Sequence, residues 1–105
     1  MLLTIKGTPI IYMGEELGML NSKIPSALRM DPIAHAKFPV TLFQRDGERT
    51  PMEWNNQKNR GFSQGEKTWL PVGNNVSVED QEKDQESVLN FYKQLISCRN
   101  SELAL

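Results

Sequence analysis

Two groups of residues in this sequence carry side chains that could do chemistry. The first is Glu15 and Glu16, adjacent carboxylates of the kind that act as general acid and base. Adjacent residues at the end of a strand point in opposite directions, so these two could not face one substrate together. We therefore expect them to pair with buried donors and to have a structural role.

The second group lies in residues 45–54, which read Arg45-Asp46-Gly47-Glu48-Arg49-Thr50-Pro51-Met52-Glu53-Trp54. A guanidinium fork can hold a carboxylate and still donate to a hydroxyl. Arg49, Arg45 and Asp46 are therefore candidate binding residues. The structural alternatives are a salt bridge within the loop for Arg49, and a local ion pair of Arg45 with Asp46 that fixes the turn at Gly47.

Other reactive side chains are scarce. His35 is the only histidine and Cys98 the only cysteine, so we expect no internal disulfide and no zinc site. The acidic residues between positions 79 and 86 are not spaced as a calcium loop. The sequence thus predicts no metal and no cofactor, with His35 on the surface or in a loop and Cys98 on the last helix, where it packs that helix against the rest of the fold.

Length and charge narrow the class of protein. The chain has 105 residues, enough for one domain, and a net charge of -1, which gives no basic field for nucleic acid or an anionic membrane. The apolar start is too short to span a bilayer and lacks the features of a signal peptide. We expect a soluble, cytoplasmic protein without a membrane or nucleic-acid partner.

The elements that must position these residues are few. Residues 1–6 look like the end of a helix, and the apolar run at about 8–13 is typical of a buried strand. A long loop follows over about 14–82, with helical turns near 26–29, 32–37 and 77–80. Five aromatic residues serve as its expected anchors: Phe38, Phe43, Trp54, Phe62 and Trp69.

The last predicted element is an amphipathic helix over about 84–100, capped by Asp84. One strand and one helix cannot bury each other alone, because a parallel strand needs neighbours on both edges. The pattern therefore indicates part of a larger α/β sheet or barrel.

Several segments, in order, resemble the α-glucosidase branch of the α-amylase superfamily, glycoside hydrolase family 13. They are residues 1–19, the "RD-x-x-RTPM-x-W" pattern at 45–54, Asn59-Arg60-Gly61-Phe62-Ser63, Trp69-Leu70-Pro71-Val72, and residues 84–96. The resemblance implies an α/β fold class and the C-terminal part, residues 1–105, of a catalytic (β/α)₈ barrel. It covers the end of helix seven, strand eight, a long βα loop and helix eight, with Tyr12 in the barrel core.

The resemblance also implies a function. The family uses a retaining mechanism with three acidic residues after strands four, five and seven, which would lie before Met1. This chain would then hold no catalytic residue and would need the rest of the barrel to fold stably. Arg49 would pair with an aspartate from elsewhere and close the pocket around the terminal glucose of an oligosaccharide substrate, with Arg45 and Asp46 nearby.

Two further hypotheses remain open at this point. Some members of the superfamily have lost catalysis and serve as partner subunits of membrane transporters, although the intact Arg49-Thr50-Pro51-Met52 favours an enzyme. The chain could also be a truncated product without independent function, its start being an internal methionine of helix seven.

Overall fold

The computed structural model describes residues 2–102, which form short helices joined by turns and irregular segments. Two are α-helices, α1 (Val78–Lys83) and α2 (Val88–Ser101). The others are 3-10 helices, at Leu2–Thr4, Glu15–Leu17, Ser26–Leu28, Pro32–His35, Val40–Phe43, Asp46–Glu48 and Lys58–Gly61. The expected turns near 26–29 and 32–37 are thus present as 3-10 helices.

The strand predicted at about 8–13 is absent, as is any other strand between residues 2 and 102. Residues 8–12 have no regular secondary structure and 13–14 form a turn, while Ile10 is 82% exposed. A strand exists only through hydrogen bonds to a neighbouring strand. This stretch of chain supplies no second strand, so the expected α/β architecture is not formed by it alone.

The C-terminal helices differ from the prediction at their starts. Ser77 caps α1 as expected, its hydroxyl accepting from the Asp80 N–H at 3.1 Å, so the long loop ends at residue 77 and not at 82. The cap of α2 is Ser87, which accepts from the Asn90 N–H at 3.2 Å. Asp84 instead accepts from the Glu86 N–H in the preceding turn, so the predicted helix start at 84 is wrong.

The start of the described chain is tied to the end of α2. Of the helix end expected over residues 1–6, only the turn Leu2–Thr4 is present. The Arg99 guanidinium donates to the carbonyls of Leu3, Ile5 and Gly7, the first two at 3.1 and 2.7 Å. Met1 and residues 103–105, which fall within the expected domain, lie outside the described residues.

The apolar core is small. Leu17, Met52 and Leu89 form it, with Met19, Val76 and Val78 packed against it. The Gln81 side chain joins its parts, donating to the Leu17 carbonyl at 2.8 Å and accepting from the Leu89 N–H at 2.9 Å. These bonds hold α1 and α2 against the 3-10 helix Glu15–Leu17.

Side chains predicted to pack are exposed. Trp54 and Trp69 are 48% and 69% exposed, and Phe38, Phe43, Phe62 and Cys98 are also exposed. Within the described residues the core is built from a few aliphatic side chains, and it leaves these larger groups uncovered. The predicted role of the aromatic residues as anchors is therefore wrong for this stretch.

Candidate functional site

Asp31 is the first of two buried aspartates that hold the candidate site together. Its carboxylate accepts from the Arg45 backbone N–H at 2.8 Å and from Arg45 Nε and Nη2 at 2.9 and 3.0 Å. It also accepts from the Ile33 N–H at 3.1 Å, which caps the 3-10 helix Pro32–His35. Asp31 thus joins two segments that are 14 residues apart in the sequence.

The ion pair fixes the charge state of both partners. The Arg45 guanidinium, bonded to Asp31, holds the pKa of the Asp31 carboxyl well below its usual range, and Asp31 raises the pKa of Arg45. A lowered carboxyl pKa stabilises the folded chain above the unfolded value of about 4, and this contribution is lost as pH falls below it. Arg45 is half exposed, so solvent screens the pair.

Asp46 is the second buried aspartate. Its carboxylate accepts from the N–H groups of Met30 and Asp31 at 2.8 and 2.9 Å, and only 2% of the residue is exposed. The predicted ion pair of Arg45 with Asp46 is therefore wrong in its partner, because Arg45 pairs with Asp31. We call Asp31, Arg45 and Asp46 the aspartate clasp. Of the two predicted binding residues in the clasp, Asp46 has both carboxylate oxygens engaged, and Arg45 uses its Nε and Nη2 on Asp31.

Arg49 is placed differently. Its backbone N–H donates to the Asp46 carbonyl at 3.1 Å, and the residue is exposed. Between residues 2 and 102 no carboxylate pairs with its guanidinium. The structural alternative, a salt bridge within the loop, is therefore not formed here. The clasp fixes the backbone of Arg49 and leaves its charge available.

A polar pocket lies beside Arg49 in the sequence and in space. It measures about 200 Å³, and the end of the expected strand and the turn before Arg49 form two of its sides. Its lining residues with polar side chains are Tyr12, Glu15, Asn21, Glu48 and Thr50. These groups offer donors and acceptors of the kind that bind hydroxyls.

The sequence did not single out most of these pocket residues. Tyr12, expected in the barrel core, is 48% exposed and lines the pocket. Glu16 turns back and accepts from the Gly14 N–H at 2.8 Å, a structural role as expected, whereas Glu15 faces the pocket. Glu15 and Glu16 lie in a 3-10 helix and not on a strand. Their carboxylates therefore point to different places because of the helical turn, and not because of the alternation of a strand.

A second buried ion pair lies further along the loop. Arg60 Nε donates to Glu53 Oε2 at 3.0 Å, and the Glu53 side chain is fully buried. A Cβ on residue 73 would collide with Glu53 Oε1, so Gly73 makes room for this carboxylate. The sequence does not predict this pair, because no local pattern marks a partner seven residues away.

Other kinds of site find no support in the described part of the chain. Residues 2–102 contain no group of three histidine, cysteine, aspartate or glutamate side chains placed to hold a metal ion. His35 is an exposed residue whose Nε2 lies 3.2 Å from the Arg29 carbonyl. In the same range, none of the helices has the length and apolar character needed to cross a membrane.

Comparison with known proteins gives a consistent result over the whole length of the chain. Residues 1–105 match the family described as "Alpha amylase, catalytic domain". A salivary alpha-glucosidase of Aedes aegypti is 37% identical over 105 residues, covering 95% of this chain and 18% of that protein. A probable oligo-1,6-glucosidase 2 of Bacillus subtilis is 37% identical over 115 residues, covering 90% of this chain and 20% of that protein.

An oligo-1,6-glucosidase of Parageobacillus thermoglucosidasius is 34% identical over 115 residues, again covering 90% of this chain and 20% of the relative. The chain therefore spans about a fifth of the length of the curated relatives it matches. The family match extends through every segment that carried the resemblance. Since the match covers the chain from end to end, this chain belongs to the α-amylase catalytic-domain family and is part of its (β/α)₈ barrel.

Proposed function

We propose that this chain contributes one wall of the sugar pocket in a retaining α-glucosidase-type hydrolase of α-linked gluco-oligosaccharides. The observation that carries the proposal is Arg49, an exposed guanidinium without an ion-pair partner in residues 2–102, on a fixed backbone beside a polar pocket. A guanidinium in this position can bind a carboxylate from another barrel segment and a hydroxyl of the terminal glucose at the same time. The names of two relatives state alpha-glucosidase and oligo-1,6-glucosidase activity of those proteins.

The proposal also gives residues 8–13 and α2 their places in the barrel. We propose that residues 8–13 form strand eight and α2 forms helix eight once the other strands are present. The exposure of Ile10 at 82% and of Ile11 and Met13 at above 40% supports this, because such a run is stable only when covered. The rest of the barrel would then be the folding partner of this chain.

The buried carboxylates of residues 2–102 are engaged in structural contacts, and this supports a catalytic site made by other segments. A retaining glycosidase uses two carboxyl groups about 5 Å apart, one as nucleophile and one as acid and base. The buried carboxylates of the described chain are Asp31, Asp46 and Glu53, and each accepts hydrogen bonds from backbone or arginine donors. We propose that the catalytic trio is supplied by other barrel segments and that these 105 residues alone do not hydrolyse glycosides.

A chimera tests this proposal. In it, this chain replaces the matching stretch of the Parageobacillus oligo-1,6-glucosidase. We expect the isolated chain to release no product from a chromogenic α-glucoside above a buffer blank, and the chimera to hydrolyse both that substrate and isomaltose. The reason is that the host supplies the acidic trio and the chain supplies Arg49 and its pocket.

The control is the same host with the matching stretch deleted, which should be inactive. Turnover by the isolated chain would contradict the proposal that other barrel segments supply the catalytic trio. A folded but inactive chimera would contradict the role of the chain as a working pocket wall, and would favour a homologue that has lost catalysis.

A further inference from the structure

The Arg60 side chain donates to three acceptors on two segments of the chain. Besides Glu53, its guanidinium donates to the Val76 carbonyl at 2.7 Å and to Asn56 Oδ1. Only 12% of the Arg60 side chain is exposed. The residue therefore ties residues 53–60 to the segment that leads into α1.

The backbone of Arg60 closes the same loop. Its carbonyl accepts from the N–H groups of Trp54 and Asn55 at 2.9 and 3.1 Å. We call residues 54–60 the Trp54 loop. Both the side chain and the carbonyl of one residue thus hold the base of the loop shut.

The backbone of Arg60 has unfavourable dihedral angles in this arrangement. Asn59 and Arg60 have φ values of 51° and 55°, in the left-handed region that glycine adopts most readily. This conformation is unfavourable for a residue that has a Cβ atom, and such strain clusters at functional positions. Glycine would relieve the strain but would lose the three acceptors that the guanidinium reaches.

The backbone of Trp54 is held by hydrogen bonds to Arg60 and Glu79. Its N–H donates to the Arg60 carbonyl, and its own carbonyl accepts from the Glu79 N–H at 3.0 Å. The preceding residues 50–53 are buried, so Arg49 and Trp54 are the exposed ends of one anchored segment. The indole is 48% exposed on a backbone fixed from both sides.

We propose that Arg60 is a positioning residue that, through Glu53 and its own carbonyl, holds Trp54 as the aromatic wall of the oligosaccharide site. The inference rests on the proposed function, in which Arg49 forms the polar wall at the other end of the segment. A flat indole packs against the apolar face of a sugar ring, and a misplaced ring loses that contact. Arg60 then acts on substrate binding and not on the bond-breaking step.

The chimera carrying Arg60→Met provides the test. We expect KM for isomaltose to rise about tenfold while kcat changes less than threefold, because uniform binding is lost. Trp54→Ala should raise KM similarly, and the double variant should be no worse than Trp54→Ala alone, since both changes remove one contact. Arg60→Lys should recover part of the affinity. Lys58→Met, which removes an exposed cation of the same loop, is the matched control and should leave KM unchanged.

Unchanged KM in Arg60→Met, or a double variant whose effects multiply, would overturn the proposal. If Arg60→Met does not fold, the isosteric Glu53→Gln is measured in its place, with the same expectation for KM. An inactive unsubstituted chimera counts against the proposed function and not against Arg60. The role of Arg60 is then measured in the folded chimera by amide exchange at Trp54 and Asn55, whose N–H groups donate to the Arg60 carbonyl. There Arg60→Met should accelerate exchange at least tenfold and Lys58→Met should not, and unchanged exchange in Arg60→Met would overturn the proposal.

Discussion

Replacing Arg49 by methionine in the chimera should lower kcat/KM for isomaltose about 100- to 1,000-fold, since truncating one partner of a buried charge pair costs roughly 3–4 kcal/mol. The effect is large because the change removes a sugar ligand and leaves the facing carboxylate of the host unpaired. The substitution should leave the fold intact, since the guanidinium has no ion-pair partner between residues 2 and 102. Steady-state kinetics and the melting temperature of the purified variant measure both effects.

Two further variants sharpen this test. Arg49→Lys keeps the charge but not the two-pronged geometry, and should recover only a small part of the lost activity. Lys37→Met removes an exposed cation from the same long loop, outside the pocket lining, and should behave like the unsubstituted chimera. If Arg49→Met and Lys37→Met had the same kinetics, Arg49 would not be a sugar-binding residue.

Asp46→Ala should destabilise the loop by about 2–4 kcal/mol, because the N–H groups of Met30 and Asp31 lose a charged acceptor. Amide exchange at Met30 and Asp31 should accelerate about 30- to 1,000-fold in the chimera, which is the same free energy expressed as a rate. Activity should fall as well, since the Asp46 turn fixes the backbone of Arg49. Exchange measured by NMR or mass spectrometry gives the direct readout.

The matched control is Glu48→Ala, in the same 3-10 turn. Glu48 is exposed and no hydrogen bond of its carboxylate holds the turn, so exchange at Met30 and Asp31 should stay as in the parent. Equal exchange rates in the two variants would show that the aspartate clasp does not hold the loop.

The clasp also changes the interpretation of the residues around Arg49. From the sequence, Arg49 is the first candidate for binding, and Arg45 and Asp46 are second candidates whose expected alternative is a local ion pair at the turn. The structure separates them, because Arg45 and Asp46 bind residues 30 and 31 and position the turn, whereas Arg49 projects from it. Of the three predicted binding residues, Arg49 has a guanidinium that pairs with no carboxylate between residues 2 and 102, and its contact with sugar stays a prediction.

The sequence by itself determined the family and the approximate order of elements. Family membership follows from the identity and spacing of side chains such as Arg49-Thr50-Pro51-Met52, which depend on local order alone. The cap at Ser77 and the turns at Ser26–Leu28 and Pro32–His35 also follow from local signals, since a hydroxyl or a proline acts within a few residues.

Only the tertiary structure decided which polar groups meet. Asp31 reaches Arg45 across 14 residues, Glu53 pairs with Arg60, and Gln81 reaches the Leu17 carbonyl across 64 residues. Such contacts leave no periodic signal, because they depend on how irregular segments fold back on each other. Residues 8–13 depend on tertiary structure in another way. Their sequence favours a strand, but the hydrogen bonds that define a strand must come from neighbouring strands.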